Sequence, residues 1–220
     1  MPDAEHVASP LLTAADHKRL TAIAVPSRRA SYATGRVLLH ELVAEVSGQP
    51  ADAVVVTSRC PRCGSDEHGR PHTSVDGLHV SLGHAPGVVL ATVAWRPCGV
   101  DVERLEDADR LANAARVVLS PTEIRRGSGA DPTALLRTWV RKESLLKAWG
   151  SGLQVRPEDL TLSDDDSSTT RPVDAPAGLP PAEIHDLVGG HVQRTDLVAA
   201  VCLLGGPHRP PAPTAPSASR

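Results

Sequence analysis

Two segments have the length, spacing and punctuation of long helices, and they set the frame for the rest of the chain. The first runs from about Ser27 to Val46, with Tyr32, Leu38, Leu39, Leu42, Val43 and Val46 recurring at helical spacing. Pro26 precedes it, and Gly48 and Pro50 stop it. The second opens at Asp131-Pro132, ends at Gly150, and gathers Leu135, Trp139, Leu146 and Trp149 on its packing side. Strand-like runs follow the first helix at 53–57, 78–82 and 88–95, and the second at 159–163 and 197–204, with 99–103 between the halves. Shorter helices are expected after the Thr13/Asp16 capping pattern, through about Ala24, over 106–119, and after Ser120-Pro121-Thr122-Glu123.

The order helix, strand, strand thus occurs in each half. It points to an α+β fold of two similar lobes, 1–97 and 98–205. Residues 1–12 read as a poorly ordered arm, 59–77 as a loop, and 206–220 as a disordered tail rich in Pro, Ala and Ser. A chain of 220 residues with 40% hydrophobic content is long enough to bury a core. With 2% aromatics and no Phe, that core must be filled by Leu, Val, Ala and the three Trp. The net charge of -3 gives no basic field for nucleic acid, although Arg28, Arg29 and Arg36, and Arg137, Arg141, Lys142 and Lys147, form local basic clusters. Neither a signal peptide nor an apolar run of membrane-spanning length is visible, so a cytoplasmic protein with reduced thiols is expected.

Chemistry enters with Gly99-Val100-Asp101-Val102-Glu103. On a strand Asp101 and Glu103 share a face while Val100 and Val102 point to the core. Two carboxylates side by side are costly unless solvated or bridged by a cation, and hard oxygen ligands suit Mg²⁺, with Mn²⁺ an alternative. An isolated D-x-E is also compatible with an ordinary half-exposed strand. In Trp139-Val140-Arg141-Lys142-Glu143-Ser144-Leu145-Leu146-Lys147, Glu143 and Lys147 share a helix face, as an ordinary surface pair would.

Taken together and in order, GVDVE at 99–103 and WVRKESLLK at 139–147 resemble the two signatures of the 4'-phosphopantetheinyl transferase family, G-[VI]-D-[VI]-E and W-x-x-K-E-[SA]-x-x-K. The resemblance is nearest to the longer, pseudo-dimeric type that activates peptide and polyketide synthetases, the surfactin-synthetase-activating type. It implies two lobes related by a pseudo-twofold axis, each a small, mostly antiparallel sheet on a long helix, with coenzyme A in the cleft between them. It implies transfer of the phosphopantetheine arm to a serine of an acyl or peptidyl carrier protein by a monomeric enzyme. Asp101, Glu103 and Glu143 would hold Mg²⁺, Glu143 would act as general base, and Lys147 would face the phosphate under attack. Lys142 would add charge at the pyrophosphate. Upstream, Val80-Ser81-Leu82-Gly83-His84 resembles the family's S-x-S-H strand with Gly in place of Ser, and Gly69-Arg70-Pro71 resembles its G-[KR]-P. His84 and Arg70 would thereby contact coenzyme A, as would Arg36 and Arg28 on the first long helix. Arg116, Arg125 and Arg126 offer a basic rim for an acidic carrier. A metal-dependent phosphohydrolase and a non-catalytic carrier-binding module are the competing classes. The first needs Asp101 and Glu103 but leaves the Trp139–Lys147 helix without a purpose.

Cys60-Pro61-Arg62-Cys63-Gly64, with His68 and His72 following, has the composition of a zinc site at tight intervals. The expected state is a reduced loop pair, with structural zinc at Cys60, Cys63, His68 and His72 and a disulfide as the alternatives. Cys98 and Cys202 lie on apolar segments and read as core thiols.

Overall fold

The computed structural model describes residues 8–60, 63–66, 68–163, 168–187 and 196–205. In chain order its elements are α1 (Ala14–Ala22), α2 (Pro26–Ser47), β1 (Val56–Arg59), β2 (Arg70–Thr73), β3 (His79–Ala85), β4 (Val88–Ala94), β5 (Cys98–Arg104), α3 (Ala108–Ala112), α4 (Ala115–Val118), α5 (Pro121–Arg125), α6 (Pro132–Trp149), β6 (Thr161–Leu162), β7 (Thr169–Thr170), β8 (Pro172–Asp174), β9 (Ala182–Asp186) and β10 (Leu197–Leu204). Among the described residues all strand pairings are antiparallel: β1 with β2, β3 with β4, β6 with β8, and a sheet in the order β5-β10-β9-β7. The fold is α+β.

Both long helices form where the sequence places them. Pro26 occupies the first turn of α2 rather than merely preceding it, because its missing N–H costs nothing there. Gly48 and Gly150 close α2 and α6 in the left-handed region, at φ 72° and 71°. Thr13 and Ser120 each make a complete capping box, and Asp131 caps α6 through Thr133 and Ala134 N–H. Each helix covers its own core. Leu39 and Val43 of α2 pack with Val54, Val56, Leu78 and Val80, whereas Val140 and Leu145 of α6 pack with Leu160, Ile184, Ala200 and Cys202. Cys98 and Cys202 are fully buried, and burial pushes the Cys98 thiol up to about 12.

Several segments differ from expectation. The strand expected at 53–57 lies at Val56–Arg59, because a turn from Pro50 to Ala53 uses up its start. The expected loop 59–77 contains β2, whose Pro71 is tolerated because β2 pairs on one side only. The helix expected over 106–119 is split into α3 and α4 around Asn113 and Ala114. Strand 159–163 shrinks to Thr161–Leu162, and β9, unmarked by any β-branched run, carries the fully buried Ile184. Leu12, expected in a loose arm, is buried against Leu20, Ala33 and Val37. The expected tail at 206–220 lies outside the described residues.

Candidate active site

Helix α6 lies across β5 and runs antiparallel to it, and Gly99 is why the two come so close. A Cβ at Gly99 would fall inside the Ser144 carbonyl oxygen and 2.5 Å from Ala148 N. The next outward positions on that face of β5 are Asp101 and Glu103. Asp101 Oδ1 accepts from Lys147 Nζ at 2.6 Å, and the same ammonium donates to Val100 O at 3.0 Å. The Trp139 indole acts on Glu103, holding its carboxyl lower than burial alone would. Trp139, Glu143 and Lys147 are spaced by four along α6, so one helical stripe faces one strand face. On the other face Val100 and Val102 are buried, as alternation requires.

Asp101 is 7% exposed, an expensive place for a carboxylate. Burial raises its pKa, partly countered by Lys147. Burial also raises Glu143, and the charges of Asp101 and Glu103 add to this while Lys147 opposes it. Glu103 is raised by burial and then by Asp101 and Asp107. The site is therefore a group of carboxylates that disfavour one another's ionisation, with one lysine to offset them. Asp101 Oδ2 is buried without a hydrogen-bond partner. An orphaned carboxylate oxygen, flanked by two further carboxyls in each other's field, is the donor set a hard divalent cation requires. Asp101, Glu103 and Glu143 fit Mg²⁺ in their chemistry. Their ligand atoms are not drawn together in this structure as closely as those of Cys60, Cys63 and His68, which all lie within 4.8 Å of one another.

The basic residues expected at coenzyme A divide into separate groups. His84, at the far end of β3, is held below the usual imidazole value by burial and by the charges of Lys147 and Arg28, against the pull of Asp101. His84 thus shares the electrostatic field of Asp101 and Lys147, and Arg28 acts on His84. Gly83 brings β3 there: a Cβ would stand 3.0 Å from Asp101 Cα and from Val100 O, so the departure from Ser at this position makes room for β5. Arg70 lies elsewhere, with its guanidinium against Gly150 at the C-terminus of α6, where a cation suits the helix dipole.

Arg36 and Lys142 are not brought to the carboxylates. Arg36 is 2% exposed; its Nε lies 2.7 Å from Asp16 Oδ1, and it donates to the carbonyls of Val56 and Thr57. Burial alone would raise Asp16, but Arg36 and the hydrogen bonds from Thr13 and Tyr32 bring it below its usual value. This network ties α1, α2 and β1 together and leaves Arg36 no face for a ligand. Lys142 is 0% exposed, and its Nζ reaches Glu123 Oε2 at 2.6 Å and the carbonyls of Val118, Pro157 and Leu160. Lys142 therefore fastens α5 and the segment after α6, rather than facing a pyrophosphate. Its partner Glu123 also accepts from Ser120 N and Leu162 N. The capping-box pattern marked Glu123 as a local cap and did not mark it as a buried anion. Trp139 and Asp107 were likewise not assigned to the site by their sequence context. The fourfold spacing of Trp139 from Glu143 is the signal that places it on the same stripe.

Among known proteins, residues 97–202 match a family model described as the 4'-phosphopantetheinyl transferase superfamily. No curated protein matches. Among solved structures, the holo-ACP synthase of Plasmodium yoelii aligns with 51% of this chain and 95% of its own at 16% identity and a TM-score of 0.41. The matched segment 97–202 begins just before β5, contains all of α6, and ends within β10. The strand and helix that carry Asp101, Glu103, Glu143 and Lys147 thus lie within the segment that matches that family model.

Proposed function

We propose that this protein transfers the 4'-phosphopantetheine group of coenzyme A to a serine of an acyl or peptidyl carrier protein and releases 3',5'-ADP. The observation that carries this reading is the stripe of Trp139, Glu143 and Lys147 laid over Asp101 and Glu103, within the segment matched to the superfamily. In the reaction the serine oxygen bonds to the phosphorus of the pantetheine side, the bond from that phosphorus to the bridging oxygen breaks, and the bridging oxygen leaves with 3',5'-ADP. The serine proton passes to Glu143, whose raised pKa makes it a better acceptor than a solvated carboxylate. Lys147, 30% exposed, keeps its ammonium open to incoming phosphate oxygens. Asp101, Glu103 and Glu143 would hold Mg²⁺. That ion, when bound, supplies positive charge to offset the diphosphate and the leaving group. His84, which feels Asp101, Lys147 and Arg28, serves with Arg28 as a phosphate contact; Arg70 supports the contact between β2 and the C-terminus of α6.

One chain supplies both helix-and-strand halves, which supports the longer, monomeric type. Docking of an acidic carrier is assigned to the exposed Arg116, Arg125 and Arg126 around the exposed apolar Val117 and Ile124. The test is nucleotide release. Incubation with coenzyme A and Mg²⁺ should yield 3',5'-ADP only when an apo-carrier is added. Release without a carrier would indicate hydrolysis and overturn the reading.

A further inference from the structure

The sequence brings two cysteines and two histidines into the β1–β2 connection, and phosphopantetheine transfer uses none of them. In the structure the ligand atoms of Cys60, Cys63 and His68 lie within 4.8 Å of one another. Cys63 Sγ is 3.4 Å from His68 Nε2. Zinc with a sulfur ligand at about 2.3 Å and a nitrogen ligand at about 2.1 Å, at tetrahedral angles, needs those two atoms about 3.6 Å apart. The backbone is already folded for such a site. Gly64 N–H donates to Cys60 O at 2.9 Å, and Cys60 N–H donates to Ser65 O at 2.8 Å. Gly64, at φ 72°, allows the turn to close directly behind Cys63. His72, expected as a fourth ligand, stands apart on β2 opposite Thr57 and lines a groove with Asp66.

We propose that Cys60 Sγ, Cys63 Sγ and His68 Nε2 bind one Zn²⁺, with a water in the fourth position. Two thiolates and an imidazole select zinc over magnesium, so this centre is chemically separate from the carboxylates. Binding releases the two thiol protons to solvent, and the two thiolates neutralise the ion's charge. The site clips a hairpin at its loop end. Cys60 follows β1 directly, while His68 comes two residues before Arg70, which pairs with Arg59 at the end of the ladder. Gly69 is the hinge between them, at φ 109°, packed so tightly on Arg59 and Cys60 that no Cβ fits. The clip therefore fixes the register that delivers Arg70 to the end of α6. This inference stands apart from the proposed transferase activity.

The test is metal analysis of the full, tag-free chain, loaded with zinc, then passed through zinc-free buffer with excess Mg²⁺ to keep the carboxylate site from retaining zinc. About one zinc per chain is expected, as for a thiolate site of this kind. Cys63 and His68 are exposed, so Cys63→Ser and His68→Ala leave the core intact, and each should lose the metal. His72→Ala should keep it. Cobalt substituted for zinc should show thiolate-to-metal charge-transfer absorption that Cys63→Ser abolishes. A wild-type chain without zinc, a Cys60–Cys63 disulfide in the purified protein, or zinc retained by the Cys63→Ser/His68→Ala double variant would each overturn the proposal. Loss of zinc in His72→Ala would overturn the ligand set.

Discussion

Lys142 and Lys147 sit in the same short motif and do opposite work. They are five residues apart on α6, roughly 140° around the helix, so only one can face β5. Lys147 meets Asp101; Lys142 is sealed among Glu123 and three carbonyls. Removing one partner of a buried ion pair leaves the other uncompensated, so Lys142→Ala should lower unfolding free energy by about 3–5 kcal/mol in denaturant titration. The motif by itself suggested a phosphate contact for Lys142, but helical phase relative to Glu143 already separates them. What the sequence lacked was the partner, Glu123, which lies far along the chain and is marked only as a cap. Glu143 behaves differently. Its carboxyl keeps its proton to higher pH in the folded chain than in the unfolded one. The folded state thus binds more protons across that window, and the metal-free protein loses stability as pH rises through it. Glu143→Gln should raise the thermal midpoint of metal-free protein at pH 7, by about 0.5–2 kcal/mol of stability, at the expense of activity. Near pH 4, where the wild-type carboxyl is itself largely protonated, the gain should shrink. A gain that persisted unchanged at low pH would count against the electrostatic origin.

Strand β5 and helix α6 act as a unit because Gly99 lets their backbones touch. Gly99→Ala would drive a methyl group into the Ser144 carbonyl and lift β5 from α6. A cost of about 3 kcal/mol is expected from the overpacking, read by denaturant unfolding, together with loss of transfer activity in whatever protein remains folded. This pair of elements was legible: capping at Asp131, the glycine stop at Gly150 and a strand over 99–103 all reappear in the structure, although both faces of that strand are buried. Helices and β5 could be read because their signals are local. β9 and β2 could not, since β9 is ordered by pairing with β10 and by burial of Ile184, and β2 by pairing with β1 across the Cys/His loop.

Across the whole molecule, the carboxylate stripe is carried by β5 and α6, while His84, on β3, feels the charges of Asp101 and Lys147. The family resemblance implied that meeting, and at Gly83 β3 closely approaches β5. Sequence did not separate Arg36 from Arg28: both are arginines on one helix, yet Arg36 faces α1 and β1 and is used there. On the outer surface, reversing charge at Arg116, Arg125 and Arg126 should raise KM for an acidic carrier about tenfold at low salt, with little change in KM for coenzyme A, and the effect should fade as salt is added. An unchanged carrier KM would move the docking surface elsewhere. The central claim, that Asp101, Glu103, Glu143 and Lys147 transfer phosphopantetheine, is tested most directly by the intact mass of an apo-carrier protein after incubation with coenzyme A, Mg²⁺ and either the wild type, Glu143→Gln or Asp101→Asn. The account predicts a gain of one phosphopantetheine on the carrier serine with the wild type, and rates about 100-fold lower or less with either variant. No gain with any carrier of the acyl or peptidyl class, or equal rates for the wild type and both variants, would contradict it.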